Sequence, residues 1–424
     1  MQNDGLPVVR TRVPGPSSEA WVDRLAQHEC PAITARRARR AAALGLADDD
    51  PVVWSRASGA LVEDVDGNTF LDFTAGFGVA AVGHAHPAVV AAGQAQLARL
   101  PHAMGDAFPD PTRVRLMEAL TARTGLPRVV FGSSGSDAVE VALKTARLAT
   151  GRRRFVAFRR GYHGLSLGAL GPLGYKRGDF AGPFDGLVGG QWELHPFGGA
   201  LPDLREVAAV LVEPVQGRGG VRVPPKGWLA ALGAAARAAG ALVIWDEIYT
   251  GLGRTGVWFR GEVEGTQPDL LCIGKALGGG FPISACLGTA AAMDAWGASR
   301  GEAIHTQTFL GNPVGCAMAL AALDVLGDLV PTVAARGERL RSGIEALGLR
   351  VRGEGLLLGV EVPDPLRVSR ALMAHGVLVL PSGDVGADAD EPVPGGMVLC
   401  LTPPFVVSDA QIHHFHQALA AVLA

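Results

Sequence analysis

Lysine is scarce in this chain, and one of the few stands where a lysine is costly. Only four occur, Lys144, Lys176, Lys226 and Lys275, in a sequence otherwise well supplied with arginine. Lys275 follows the apolar run DLLCIG (269–274) and precedes a glycine cluster and Pro282. That setting puts an amine at the end of a core strand, where a charge is expensive unless it is neutralised or the group is used covalently. A neutral amine attacks carbonyl carbons, so nucleophilic catalysis is the chemistry open to it. The other three read as solvated: Lys144 on a helix, Lys226 after two prolines, Lys176 in a polar, Gly-rich stretch. Lys275 is not a P-loop lysine, because Ala276 follows it and no glycine stands five residues before Gly274.

Three further segments carry groups that chemistry could use. ALVIWDEIYTGLGRTG (241–256) delivers Asp246 and Glu247 to the end of an apolar strand, where open α/β sheets keep their sites. GSSGSDAVEVALKTAR (132–147) runs from a Gly/Ser turn into a helix, so Ser134, Gly135 and Ser136 could cradle a phosphate. The same residues also suit a plain helix start, with Ser134 and Asp137 in capping-box spacing. RRGYHGLSLGAL (159–170) presents Tyr162 and His163 at a strand end, where an aromatic ring can stack on a planar ligand or serve structure alone. GLGRTG (251–256) formally matches the dinucleotide fingerprint but does not open a helix directly after a strand, which removes the reason to believe it.

These groups need a sheet to hold them. Short apolar runs at 128–131, 154–158, 207–214, 241–247, 269–274 and 284–288 alternate with Ala-rich helical stretches. That texture predicts an α/β fold with a mainly parallel sheet covered on both faces. Before it, GALVEDVDGNTFLDF (59–73) alternates around Asp66-Gly67 as a hairpin. After it, 350–362, 376–383 and 397–405 read as strands, and the last residues as an amphipathic helix capped by Ser408 or Asp409. The expected organisation is an N-terminal arm and part of a small domain (1–75), a large domain (76–325) and a C-terminal part of the small α+β domain (326–424), so that both chain ends build the small domain. Residues 1 to about 20 are expected to form a loose arm.

A net charge of −3 gives no reason to expect nucleic acid or an anionic membrane as partner. The five cysteines have neither disulfide-frame nor metal-ligand spacing, and no metal is expected. No signal-peptide core and no apolar run near the roughly 20 residues of a bilayer span stands out, so a cytoplasmic protein is the expectation.

In this order the segments resemble the class III (ω-amino acid type) aminotransferases of fold type I, which depend on pyridoxal 5′-phosphate (PLP). The resemblance covers most of the chain and rests on 59–89, LVEPVQGRGG (211–220), DEIYTGLGRTG (246–256), GKALGGGFP (274–282) and TFLGNP (308–313). It implies a seven-stranded-type sheet between helices and a homodimer with shared sites, acting on small amine or amino acid and keto acid substrates. It also implies roles: Lys275 as the Schiff-base lysine and proton carrier, Asp246 beside the pyridinium nitrogen, and Tyr162 on the ring. Gly135 and Ser136, with Ser134, would hold the phosphate, and Thr308 would reach it from the neighbouring subunit. Glu213 matches a family carboxylate, with a structural ion pair the alternative. Racemisation, decarboxylation or an aminomutase shift would use the same lysine and aspartate, and a nucleotide-binding oxidoreductase rests only on GLGRTG.

The departures concern substrate. Where the family often has Gln, bonded to the cofactor's phenolic oxygen, this chain has Tyr249. Arginines that the GABA and ornithine branch uses to hold carboxylates correspond to Leu165 and Cys400, and its QGEGG glutamate to Arg218. Neither Leu nor Cys can replace a bidentate arginine. The expectation is therefore an enzyme other than an ordinary GABA or ornithine aminotransferase, with a place in a specialised biosynthetic pathway. Either Arg218, Arg56 or another arginine takes over carboxylate binding, or the substrate is bulkier, less charged or differently oriented.

Overall fold

The computed structural model describes residues 5–30, 42, 45, 51–105, 107–297, 303–384 and 396–424. At the N-terminal end β1 (Trp54–Ser58), β2 (Leu61–Asp64) and β3 (Thr69–Asp72) form an antiparallel meander. The β2–β3 turn falls at Asp66-Gly67, with Gly67 at φ +78°. The segment expected to be a loose arm is fastened to this turn. Asp66 accepts the backbone N–H groups of Ser17 and Ser18 at the start of a helix, Pro16–His28. Asn68 accepts those of Arg10 and Thr11. The polar residues that suggested looseness are the fasteners.

The central sheet comprises β4 (Arg128–Gly132), β5 (Arg154–Phe158), β6 (Gln191–His195), β7 (Val207–Val212), β8 (Leu242–Asp246), β9 (Leu270–Ile273) and β10 (Ser284–Gly288). Its order is β4-β10-β9-β8-β7-β5-β6, and β10 alone runs antiparallel to its neighbours. All residues of β7, β9 and β10 are buried, as strands covered on both faces must be. The edge strand β6, QWELH, has no apolar run to announce it; Trp192 secures it by stacking on Phe155 at 4.8 Å.

Chain ends meet beyond this sheet. β11 (Val351–Glu354), β12 (Leu357–Val360), β14 (Leu380–Ser382) and β15 (Val398–Leu401) make an antiparallel sheet in the order β11-β12-β15-β14. β13 (Val377–Leu378) joins the N-terminal meander instead, parallel to β3. The C-terminal helix Asp409–Leu423 is capped by Ser408.

One helix departs from the expected absence of long apolar stretches. Pro313–Glu345 is long and apolar enough in composition to cross a membrane. Its apolar face, including Ala319, Leu326, Val333 and Leu340, is buried in the main hydrophobic core.

GLGRTG lies in turns and opens no helix. It ties the central sheet to the C-terminal one. Arg254 is buried, stacks over Phe405 at 4.6 Å and donates to the carbonyls of Leu356 and Pro403. Nearby, Gly337 in the long helix touches the β11–β12 turn so closely that an added Cβ would overlap the Gly355 carbonyl. Gly→Ala inside a helix ordinarily gains up to about 1 kcal/mol. Here the obstacle is backbone, which cannot swing aside. Gly337→Ala is expected to lower unfolding free energy by about 2 kcal/mol, read from the urea midpoint; an unchanged or raised midpoint would contradict the packing.

Candidate active site

Five of the six strands that run in one direction in the central sheet, all but the edge strand β6, lead into one cavity of roughly 650 Å³. Ser134, Gly135 and Ser136 follow β4, Tyr162 and His163 follow β5, and Glu213 follows β7. Asp246 closes β8, Ile248 and Tyr249 come next, and Lys275 follows β9. The carboxyl ends of parallel strands are where such sheets open to ligands.

Lys275 takes φ +42°, a left-handed conformation uncommon for a residue with a Cβ. It is partly exposed, and what it faces is the cavity. The surrounding walls strip water from the amine and lower its pKa; Arg218 lowers it further, while Asp246 and Glu213 pull the other way. Its Nζ lies 4.4 Å from the centroid of the Tyr249 ring.

Asp246 is buried, and its Oδ2 lies 2.7 Å from His163 Nδ1. Its Oδ1 accepts the N–H of Ile248 at 3.1 Å. Glu213 forms no ion pair among the described residues. Instead its two oxygens accept the backbone N–H groups of Tyr162, at 2.8 Å, and Gly217, at 3.2 Å. Burial, with Asp246 adding to it and His163 opposing, raises its carboxyl to about 7.

At the start of the helix Gly135–Thr150, Ser134 and Asp137 form a complete capping box. The first helical N–H groups have no partner within the helix, so the turn still offers donors to an anion. Side chains are excluded by contact: a Cβ on Gly135 would come within 2.9 Å of Ile248, and one on Gly164 would overlap Ser136. Tyr249 occupies a slot between Gly78 and Gly217, either of which would strike its ring if it carried a Cβ. Its hydroxyl lies 3.4 Å from Thr402 Oγ1 and 3.8 Å from Cys400 Sγ. The position thus gives the cavity a ring face where an amide was expected in the family.

One expectation is corrected. Arg56 is not brought to the cavity: it sits on β1, largely exposed and paired with Glu63 at 2.9 Å. Thr308 is exposed in a surface turn and does not line the cavity of its own chain. Phe77 is one of the lining residues that escaped the sequence reading, with Gly164, Ser166, Phe180 and Ile248. It is carried by a turn, Ala75–Gly78, in which all four residues have positive φ (45°, 57°, 65° and 80°). Asp72 holds that turn by accepting from the backbone N–H and hydroxyl of Thr74 and from the N–H of Gly76, and it bonds His84 at 2.8 Å.

The acid beside Asp246 serves the fold. Glu247 is buried, accepts from the Thr250 hydroxyl and from the Gly261 N–H, and has its carboxyl raised to about 7, chiefly by burial. The folded protein holds this proton where the unfolded chain, at 4.5, has lost it. The contribution to stability is complete below pH 4.5 and disappears as pH rises through about 7. Glu247→Gln is expected to flatten the fall in unfolding free energy between pH 5 and pH 8 by about 2–3 kcal/mol. An unaltered pH slope would refute the assignment.

The buried Asp246–His163 pair, an amine of lowered pKa and an anion-ready helix start share one cavity, a set of groups that fits a phosphate-bearing cofactor with a carbonyl and a ring nitrogen. The family model for class-III aminotransferases matches residues 46–184 and 202–423. The acetylornithine aminotransferase of Streptomyces coelicolor is 40% identical over 382 residues, covering 87% of this chain and 90% of that protein. That of Methanosarcina mazei is 36% identical, covering 85% and 89%. Among solved structures, an ornithine aminotransferase from Toxoplasma gondii ME49 superposes with TM-score 0.83 at 30% identity, over 97% of this chain and 96% of that one. A PLP-bound amine transaminase from an uncultivated Pseudomonas species gives 0.78 at 30% identity, over 88% and 95%. The chain belongs to the class-III aminotransferases. It is a PLP-dependent aminotransferase of fold type I, so amino transfer prevails over the racemase, decarboxylase, aminomutase and oxidoreductase alternatives.

Proposed function

We propose that this enzyme moves the terminal amine of a carboxylate-bearing donor to a keto acid, and that N2-acetylornithine is the first donor to assay. The observation that carries this reading is the convergence of Lys275, the Asp246–His163 pair and the Ser134–Ser136 turn on one cavity. The relatives named for acetylornithine supply the donor class. When bound, PLP supplies an electron-accepting ring that takes up the negative charge left on the substrate carbon.

The chain's own groups do the rest. Lys275 Nζ takes the proton from the substrate carbon and returns it; burial lowers its pKa and so favours the neutral amine that the step needs. Asp246, oriented by His163, would pair with the ring nitrogen of the cofactor. Tyr162 would stack on the cofactor ring, and Glu213 fixes the backbone on which Tyr162 stands. Ser134, Gly135 and Ser136 hold the phosphate, and the Tyr249 ring shields the lysine. Thr308, exposed in its own chain, completes the phosphate site of a second subunit in a cytoplasmic homodimer. The absence of the clamp arginines at Leu165 and Cys400 supports a role in a specialised pathway. We assign 1–75 and 326–424 to a small domain and 76–325 to a large one.

The test is transfer of label: with ¹⁵N at the terminal amine and unlabelled 2-oxoglutarate, ¹⁵N-glutamate is expected in step with loss of donor. Inversion or loss of CO₂ without labelled glutamate would refute the reading.

A further inference from the structure

We propose that Arg218 reads the carboxylate of the substrate and so sets which donors and keto acids the site accepts. The inference deepens the amino-transfer reading and rests on it. Of the residues lining the Lys275 cavity, Arg218 is the one arginine. Its guanidinium carbon lies 5.3 Å from the ring centroid of Tyr162, 5.5 Å from that of Tyr175 and 5.7 Å from that of Phe77. Its Nε is buried without a hydrogen-bond partner among the described residues.

Buried nitrogens without a partner among the described residues also occur on Arg254 and Arg260, but the rest of each fork engages the protein. Arg254 binds two carbonyls, and Arg260 pairs with Glu354. Arg218 is different: a cation ringed by aromatic faces, beside a reactive amine, with no anion paired to it among the described residues. Aromatic walls favour the cation while excluding water, and a planar fork of donors matches a carboxylate two bonds at a time.

Its base is rigid. The Arg218 carbonyl accepts from Ser382 Oγ and from the Gly383 N–H, both at 3.0 Å. On either side Gly217 packs against the Tyr249 ring, and a Cβ on Gly219 would come within 2.6 Å of the Arg160 carbonyl. A long side chain on a fixed base selects by position. The neighbouring candidates offer nothing comparable: Leu165 has no polar group, and burial pushes the Cys400 thiol up to about 11, so it stays neutral. A carboxylate entering this cavity meets Arg218.

The experiment uses the PLP-loaded enzyme and two donors that differ by one carboxylate, N2-acetylornithine and N-acetylputrescine. In Arg218→Gln the ratio of their kcat/KM values is expected to fall about 50-fold from wild type, the loss of a bidentate charge-assisted contact. Arg218→Lys should recover part of it, and carries the test if the glutamine variant does not fold. Calorimetric binding of glutarate, an unreactive dicarboxylate, should weaken by a similar factor. An unchanged ratio, or equal losses for both donors with glutarate binding intact, would overturn the assignment. If wild type turns over neither donor, the donor class proposed above fails, and glutarate still decides: weakened binding in Arg218→Gln sustains the carboxylate site, and equal binding overturns it.

Discussion

Lys275→Ala is expected to lose amino transfer by on the order of 10⁴-fold while melting within a few degrees of wild type. The two halves of that result have separate causes. The amine is both the covalent anchor and the group that carries the proton, and no other cavity residue is a lysine. Alanine in its place keeps the same left-handed backbone at φ +42° and removes a side chain that faces the cavity, so little packing is lost. Borohydride reduction of the loaded wild-type enzyme should leave PLP on the peptide containing residue 275, and on none containing Lys144, Lys176 or Lys226. Label on one of those three, or turnover of the alanine variant above about 1% of wild type, would unseat Lys275.

The second large effect belongs to Asp246. Asparagine has the same shape and can still accept the Ile248 N–H, but it removes a buried negative charge and turns an amide toward His163. A kcat/KM loss on the order of 10³-fold is expected, with weaker PLP retention, because the charge faces the place where positive charge must be held. Glu247→Gln is the internal control. It replaces an acid just as deeply buried, one residue further on, whose oxygens engage Thr250 and Gly261 and leave the cavity alone. If the two variants slowed the enzyme equally, burial of an acid, and not its position, would explain the effect.

Lys275 and Asp246 were legible in the sequence because each breaks a rule: a charged residue at the end of an apolar strand needs a reason. The strands themselves were legible where both faces are covered, as in VAAVLV, and illegible in QWELH, whose edge position leaves no such run. The Glu213 clamp could not be read. A glutamate that bonds two backbone N–H groups leaves no pattern in its neighbours. Tyr249 was seen as a departure, but the slot that holds it is made by Gly78 and Gly217, which are brought together only by the fold. Phe77 was missed because its placement depends on a backbone conformation that Asp72 imposes from four residues away.

That left-handed turn ties two selectable properties to one residue. A non-glycine residue in the left-handed region costs about 1–2 kcal/mol, and Ala75 and Phe77 both bear it. Glycine at 77 would relieve the cost and, in the same step, strip a ring from beside Arg218. Selection for heat tolerance alone would therefore drift toward losing donor discrimination, whereas selection for discrimination keeps the protein less stable than its sequence allows. Fitness at this corner is a compromise between durability and choice of substrate, and the two pressures meet on one phenyl ring.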